Sequence, residues 1–154
     1  MVFRKEAAPN TRAEFMYWYH NYTGFEDHYY EGLDITSPKL KSWFLEMIQT
    51  FPAMNGPYAS DDIDNDNISG YSIGTDCIYI DFRWSVAEEA YSTVVRLAKK
   101  HQVGFYDVSS DDGVILFPEN GELKSIEAKE VTAIPSHFAA VTSYYKKPWW
   151  KFWH

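Results

Sequence analysis

Cysteine is almost absent from this chain: Cys77 is the only one among 154 residues. A single thiol excludes an internal disulfide and any metal site built from several cysteines. Long apolar runs are absent as well, since none approaches the ~20 residues that a helical membrane span needs. Residues 1–11 lack the hydrophobic stretch of a signal peptide. We therefore expect a cytoplasmic protein that does not associate with a membrane.

Positive charge is scarce: 14 Lys and Arg residues oppose 22 Asp and Glu residues, for a formal net charge of -8. An acidic chain is a poor ligand for nucleic acid, whose phosphates attract basic surfaces. The same balance favours a basic protein as the partner. No catalytic or metal-binding motif of high specificity is present. We therefore expect no cofactor, and we favour a binding protein over an enzyme.

Hydrophobic residues are plentiful, at 45% of the chain with 18% aromatic, which is typical of a folded globular protein. A chain of this length buries roughly 70% of the surface that it exposes when unfolded, which is enough for one core. We expect a single domain over residues 1–154. Its core would span about 13–118, and a C-terminal extension over 119–154 would pack on that core.

The order of hydrophobic periods predicts the fold. Segments with a strand-like period of two or a helix-like period of 3.6 alternate along the chain. In chain order they are 15–22, 40–51, 71–73, 77–84, 86–101 and 103–109. This β-α-β-β-α-β order is the split arrangement of ferredoxin-like folds, so we predict an α+β sandwich of that kind. Residues 114–117 would add a hairpin strand, and the chain would end in an aromatic tail.

Both predicted helices have start signals. Ser37 is a good N-cap and Pro38 suits the first helical position, where a missing N–H costs nothing. Ser85 and Glu88 have the spacing of a capping box. We therefore expect the two helices to begin at these residues.

An acidic loop, residues 61–66, separates the first predicted helix from the strands and contains four aspartates. Three of them alternate, as in a calcium-binding loop. Such a loop also needs Gly at its sixth position and Glu at its twelfth, where this chain has Asn67 and Ile73. We therefore predict no metal ligands, and interpret the loop as a solvated or partner-binding patch.

Candidate catalytic groups lack a recognisable arrangement. The chain has five histidines, yet no spacing places one beside a nucleophile. His101 ends a helical stripe and is interpreted as a helix-end residue. Cys77 lies in a buried-looking strand without a basic neighbour, which is typical of a structural thiol. We therefore predict no catalytic residue.

The predicted sheet has one face that neither predicted helix covers. Tyr79, Asp81 and Arg83 alternate onto one side of their strand and would lie on this face. Surfaces that combine Tyr with charge are frequent at protein interfaces. The chain after Leu123, a second copy in a homodimer, or a partner protein could cover the face. The sequence leaves these three alternatives open.

The segments WSVAEEAY (84–91), LAKKH (97–101) and VGFYD (103–107) resemble a family of small, largely uncharacterised bacterial α/β proteins. The resemblance spans roughly residues 38–118. Acidic bacterial proteins of this size and style are similar to immunity proteins, which bind and neutralise a cognate toxin. The resemblance implies a bacterial protein with this role, and it carries over no toxin-binding motif.

The leading hypothesis is an immunity protein that binds a basic protein toxin. The alternative is a small-ligand sensor or an enzyme, with its pocket on the open face around Tyr79, Asp81, Arg83 and Asp107. The candidate partner-binding residues are Asp61, Asp62, Asp64, Asp66, Tyr79, Asp81, Arg83 and Asp107. A deep pocket with converging polar groups would favour the alternative, and a broad acidic surface would favour the leading hypothesis.

Overall fold

The computed structural model of the chain describes residues 1–23, 32–109 and 112–126. Its elements, in chain order, are β1 (Val2–Phe3), α1 (Arg12–Thr23), α2 (Pro38–Met47), β2 (Gly70–Ile73), β3 (Cys77–Asp81), α3 (Ala87–His101), β4 (Gly104–Tyr106), β5 (Ile115–Glu119) and β6 (Glu122–Ser125). Among the described residues, no helix is both long and apolar enough to cross a membrane. The predicted aromatic tail lies outside the described residues.

The strands form one six-stranded sheet in the order β2-β3-β1-β4-β5-β6. Every neighbouring pair is antiparallel. β1 is central although it is short, and Val2 lies opposite Ile78 on one side and Phe105 on the other. The predicted α+β class is confirmed.

One face of the sheet packs against α2 and α3, which lie side by side. The apolar stripes that the sequence predicts are the buried sides of these helices: Leu40, Trp43, Phe44, Met47, Ala90, Val94, Leu97 and Ala98. Glu46 joins the helices, because its carboxylate accepts hydrogen bonds from Lys100 Nζ at 2.8 Å and contacts His101 Nε2 at 2.7 Å. His101 is therefore part of a link between helices.

The other face packs against α1, which corrects the predicted first strand. Residues 15–22 are helical, and Phe15 stacks edge to face on Phe3, Tyr106 and Phe117. The physical reason is that the aromatic residues recur at i, i+3, i+4 and i+7, which places them on one side of a helix. The prediction that this face is open is wrong over the area that α1 covers.

The hairpins are largely where the sequence predicts them. β2 pairs with β3, and β4 pairs with β5. The strand β6 is not among the predicted elements; it follows a tight turn at Asn120 and Gly121 with φ values of 53° and 83°. Asn-Gly is the preferred pair for such a turn, because both residues tolerate positive φ. The sheet therefore continues past residue 118, to Ser125.

The helix starts differ from the predicted caps. Ser37 occupies the N-cap position of α2, but its hydroxyl makes no capping hydrogen bond. Ser85 lies inside a short 3-10 turn, Trp84–Val86, and α3 begins at Ala87 with no side-chain cap. The predicted capping box is wrong because the 3-10 turn takes its place.

Candidate functional site

A pocket opens at one end of the sheet, where the central strand begins. β1 separates β3 from β4, and both neighbours continue past Val2, to Asp81 and Tyr106. Two strands that flank a third are separated by about twice the ~4.8 Å spacing of a sheet. Beyond Met1 this gap forms the strand-end pocket, with a cavity volume of about 170 Å³.

The lining of the strand-end pocket is mostly aromatic. The aromatic residues that line it are Tyr79, Phe82, Trp84, Tyr91, Phe105 and Tyr106. The polar lining side chains are Asp81, Asp107 and Ser109. Among the described residues, no lysine, arginine or histidine lines it. The pocket is therefore apolar in its walls and acidic in its charge.

The two carboxylates of the pocket differ in how they are held. Asp107 is half-buried, and its Oδ1 accepts hydrogen bonds from the Ser109 backbone N–H at 2.9 Å and from the Ser109 hydroxyl at 2.5 Å. Asp81 is exposed and lies opposite Gly70 of β2, at the end of its strand. Within residues 1–23, 32–109 and 112–126, neither carboxylate forms an ion pair. Among the described residues, the pocket therefore holds two carboxylates without a cationic side chain.

The electrostatics of the pocket centre on the buried amine of Met1, which donates a hydrogen bond to the Tyr106 carbonyl at 3.0 Å. Burial lowers the pKa of this amine to about 5, although the charges of Asp107 and Asp81 oppose the shift. Burial also raises the pKa of Asp81 above its ordinary value. Burial therefore disfavours the charged form of the amine, and this weakens its compensation of the two carboxylates.

The pocket's tyrosines are neutral phenols at ordinary pH. Burial raises the pKa of Tyr79, Tyr91 and Tyr106. Asp81 adds to the shift of Tyr79, and Asp107 adds to the shifts of Tyr91 and Tyr106. Each aspartate therefore lies close enough to at least one tyrosine of the lining for its charge to raise the pKa of that phenol. The carboxylates and the aromatic rings thus belong to the same small pocket.

The acidic loop is exposed and forms a second acidic surface. Asp61, Asp62, Asp64 and Asp66 are all exposed. Arg83, which the sequence assigns to the open face with Tyr79 and Asp81, is not in the pocket lining. Its Nη1 instead lies 3.4 Å from Asp66 Oδ1, in an ion pair that water screens on both sides. No group of three or more His, Cys, Asp or Glu side chains in the described segments is placed to hold a metal.

The acidic loop and the strand-end pocket lie at the same end of the sheet. The loop leads into β2, whose first residue, Gly70, faces Asp81. The contact between Arg83 and Asp66 joins the residues after β3 to the loop. The structure thus places Tyr79, Asp81 and Asp107 in one pocket, and brings Arg83 and the loop aspartates to its neighbourhood.

Several lining residues are missed by sequence reasoning. Trp84, in the 3-10 turn, and Ala87 and Tyr91, in α3, all line the pocket. The sequence does not group these residues, because Trp84 ends a predicted strand, 77–84, whereas Ala87 and Tyr91 belong to the predicted helix, 86–101. Tyr106 and Ser109 lie on either side of Asp107 in the chain, and only the strand order shows that this segment shares a pocket with the end of β3.

The residues considered for catalysis do not form a catalytic arrangement in the described part of the chain. Burial raises the pKa of the Cys77 thiol to about 12, so the thiol stays protonated. Cys77 packs beside Phe3 and Phe15 in the core under α1. His101 lies at the end of α3, bound to Glu46, and does not line the pocket. These positions fit structural roles.

No protein-family model, curated protein or solved structure matches this chain. The resemblance to small bacterial proteins of the immunity type therefore stays a prediction. The functional inference rests on the geometry of the strand-end pocket and the acidic loop.

Proposed function

We propose that this protein is a binding module for a basic protein, in the manner of a bacterial immunity protein that neutralises a cognate toxin. The observation that carries the proposal is the position of two acidic features at one end of the sheet. One is the exposed acidic loop, and the other is the aromatic strand-end pocket with Asp81 and Asp107. Together they offer a basic surface both attraction and an anchor point.

The acidic loop suits long-range attraction. Its four aspartates lie within six residues and are exposed, so their fields extend into solvent. Ile63, between them, is 72% exposed and provides an apolar contact at the same place. Clusters of one charge raise the rate at which an oppositely charged partner associates.

The strand-end pocket suits short-range anchoring. Aromatic pockets that exclude water hold the side chains that contribute most to protein interfaces. Sites for whole small molecules usually have ~300–1,000 Å³, whereas this cavity has about 170 Å³. The size therefore favours one inserted side chain over a cofactor or a larger substrate.

A small-ligand sensor or an enzyme remains the second candidate. The observation that favours it is that Tyr79, Asp81 and Asp107 converge on one pocket. A small molecule bound at micromolar affinity by the isolated protein, with no effect of any protein partner, would place this candidate first.

We also infer a finer fold and a cellular location. The strand order β2-β3-β1-β4, its antiparallel pairing and the packing of α2 and α3 support a ferredoxin-like unit, to which α1, β5 and β6 are additions. An immunity protein for an intracellular toxin would act in the cytoplasm. A homodimer through the same acidic end would compete with the partner.

The first experiment tests the partner. The chain is co-expressed with the product of the adjacent gene, growth protection is scored, and binding of the purified pair is measured. We expect protection, and an association rate that falls as salt shortens the Debye length from ~30 Å at about 0.01 M to ~10 Å at about 0.1 M. A folded chain that neither protects nor binds would contradict the proposal.

A charge-matched pair of variants locates the attraction. Neutralising the acidic loop should lower the association rate about tenfold at low salt, because the loop supplies the steering field. The loop variant is Asp61→Asn, Asp62→Asn, Asp64→Asn and Asp66→Asn. The control removes the same charge away from the proposed interface, with Glu6→Gln, Asp34→Asn, Glu119→Gln and Glu122→Gln. Equal effects of both variants would show that only net charge matters.

A further inference from the structure

We infer that the strand-end pocket receives an arginine side chain of the partner protein. This inference deepens the proposed function and rests on it. It assigns the pocket a specific chemistry: a planar guanidinium between tyrosine rings, paired with Asp81 and Asp107.

The charge of the pocket selects a cation. Asp81 and Asp107 belong to the lining, and no cationic side chain in the described residues accompanies them there. The amine of Met1 is buried and donates a hydrogen bond to the Tyr106 carbonyl, and burial disfavours its charged form. A carboxylate partly withdrawn from water is stabilised by an opposite charge within about 4–6 Å. A guest with a positive charge supplies what the pocket lacks, whereas an anionic guest would be repelled.

The hydrogen bonds of Asp107 prepare it for a guest. Both bonds from Ser109 reach the same oxygen, Oδ1, and they fix the orientation of the carboxylate. Within the part of the chain that the structure describes, no hydrogen bond to the second oxygen, Oδ2, is found, so Oδ2 can accept from the guest. A guanidinium presents several N–H donors in a plane, so it can bond to Asp107 Oδ2 while its charge also lies in the field of Asp81, which lines the same pocket.

The aromatic lining favours arginine over lysine. Tyr79 and Tyr106 approach from β3 and β4, and Tyr91 approaches from α3, where its ring lies 5.4 Å from that of Phe105. A guanidinium stacks on aromatic rings and is more weakly hydrated than an ammonium, so it loses less on entering such a pocket.

The size of the pocket matches this guest. Its cavity has a volume of about 170 Å³. An engineered apolar cavity that binds benzene has ~150 Å³, and a planar guanidinium with part of its methylene stem is of comparable size. The exposure of Asp81 places one carboxylate at the mouth, where the stem of a side chain from another protein would enter.

The test uses a small probe and the full chain. N-acetyl-arginine methylamide is titrated into isotope-labelled protein, and backbone amide shifts are followed by NMR. We expect saturable shifts at Tyr79, Asp81, Tyr106 and Asp107 with a dissociation constant of ~1–10 mM, which is typical of a single weak contact. The citrulline analogue, which is nearly isosteric but uncharged, should bind at least about tenfold more weakly.

A charge-matched pair of variants assigns the binding to the pocket. Asp81→Asn with Asp107→Asn should abolish the saturable shifts. The amide oxygen that Asp107→Asn introduces can still accept the hydrogen bonds from Ser109, so folding should persist. Glu119→Gln with Glu122→Gln removes the same charge at the opposite end of the sheet and should leave probe binding unchanged. Melting curves confirm that both variants fold.

Three outcomes would overturn the inference. The first is equal binding of the citrulline analogue, which would show that charge is not recognised. The second is equal binding of a quaternary ammonium such as choline, which would show that the planar N–H donors are not recognised. The third is full binding by the pocket variant, which would place the probe elsewhere.

The complex with the adjacent gene's product separates the two proposals. If the pair binds and the pocket variant dissociates at least about tenfold faster, both proposals are supported. If the pair binds and the pocket variant dissociates at the normal rate, the pocket inference fails and the proposed function stands. If the probe binds saturably but no pair forms, the partner assignment fails, while the pocket remains a guanidinium site.

Discussion

The acidic loop and the strand-end pocket carry the same chemical group in two different environments. In the loop, Asp61, Asp62, Asp64 and Asp66 are surrounded by water. In the pocket, Asp107 is half-buried beside tyrosine rings, and Asp81, although its side chain is exposed, is partly desolvated, which raises its pKa. The amount of water around an aspartate determines the range over which its charge attracts a cation and the strength of that attraction.

This difference assigns the two regions to different steps of binding. A charge in water acts over about a Debye length but contributes only ~1 kcal/mol to a pair at 4 Å. A charge that is partly withdrawn from water interacts more strongly at short range, with an effective dielectric constant of ~20. The loop should therefore govern the association rate, and the pocket should govern the dissociation rate.

The largest expected effect comes from filling the pocket without changing any charge. Ala87 lines the pocket at the start of α3, and Ala87→Leu extends an apolar side chain into it. Leucine is a good helix former, so folding should persist. We expect at least about a tenfold faster dissociation of the partner and loss of the arginine-probe shifts. Surface plasmon resonance and the NMR titration measure the two effects.

The control for this substitution lies on the same helix. Ser92 is exposed and does not line the pocket, so Ser92→Leu adds the same side chain elsewhere on α3. It should leave dissociation and probe binding unchanged. A comparable loss in both variants would mean that the pocket has no special role, and the contrast between loop and pocket would not hold.

A smaller effect should appear in stability. Because burial raises the pKa of Asp81 in the folded state, its ionised form destabilises the fold at neutral pH, and stability rises as pH falls through that pKa. Asp81→Asn should therefore raise the melting temperature at pH 7, by no more than about 3 °C, since Asp81 is exposed and water screens it. The gain should vanish below about pH 3.9, where an unfolded aspartate is also protonated.

The loop provides the comparison for that measurement. Asp64 is exposed in the acidic loop, so Asp64→Asn should change the unfolding free energy by less than about 0.5 kcal/mol at either pH. Thermal melts of both variants across this pH range test the contrast. A gain in Asp64→Asn equal to that in Asp81→Asn would assign the effect to net charge alone.

Features that depend on local sequence were predictable. The acidic loop is recognisable because a run of like charges avoids regular structure whatever surrounds it. The apolar stripes of α2 and α3 follow the helical period, and the Gly-containing connection between β2 and β3 indicates a hairpin. Each of these signals lies within about a dozen residues.

The helix α1 and the strand β1 were not predictable in the same way. Met16 and Tyr17 stand between Phe15 and Trp18, so the run is apolar at every spacing and no single period dominates. β1 has only two residues, which is too short to show any period. Its place at the centre of the sheet depends on pairing with β3 and β4, which are distant in sequence.

The pocket was predictable only in part. Alternation along β3 groups Tyr79 with Asp81, and both line the pocket with Asp107, but Ile80 and Phe82 of the other row line it too. The same alternation fails at Arg83, because β3 ends at Asp81 and the chain turns towards Asp66. A pattern of period two holds only while the strand continues.

The smallest expected effect concerns an acidic residue outside both regions. Glu46 links α2 to α3, and hydrogen bonds from Lys100 and then His101 lower its pKa. A lowered pKa stabilises the fold above the pKa of the unfolded glutamate, and this contribution is lost as pH falls through the folded-state pKa. Glu46→Gln should therefore lower the melting temperature at pH 7 by about 1 °C or less, because the Lys100 end of the bridge is exposed and water screens that ion pair. Below the folded-state pKa the two proteins should melt alike. Glu46 belongs to neither the loop nor the pocket. Glu46→Gln should therefore leave the association rate of the partner, its dissociation rate and probe binding unchanged. A change in any of the three would show that the binding surface extends to α2 and α3.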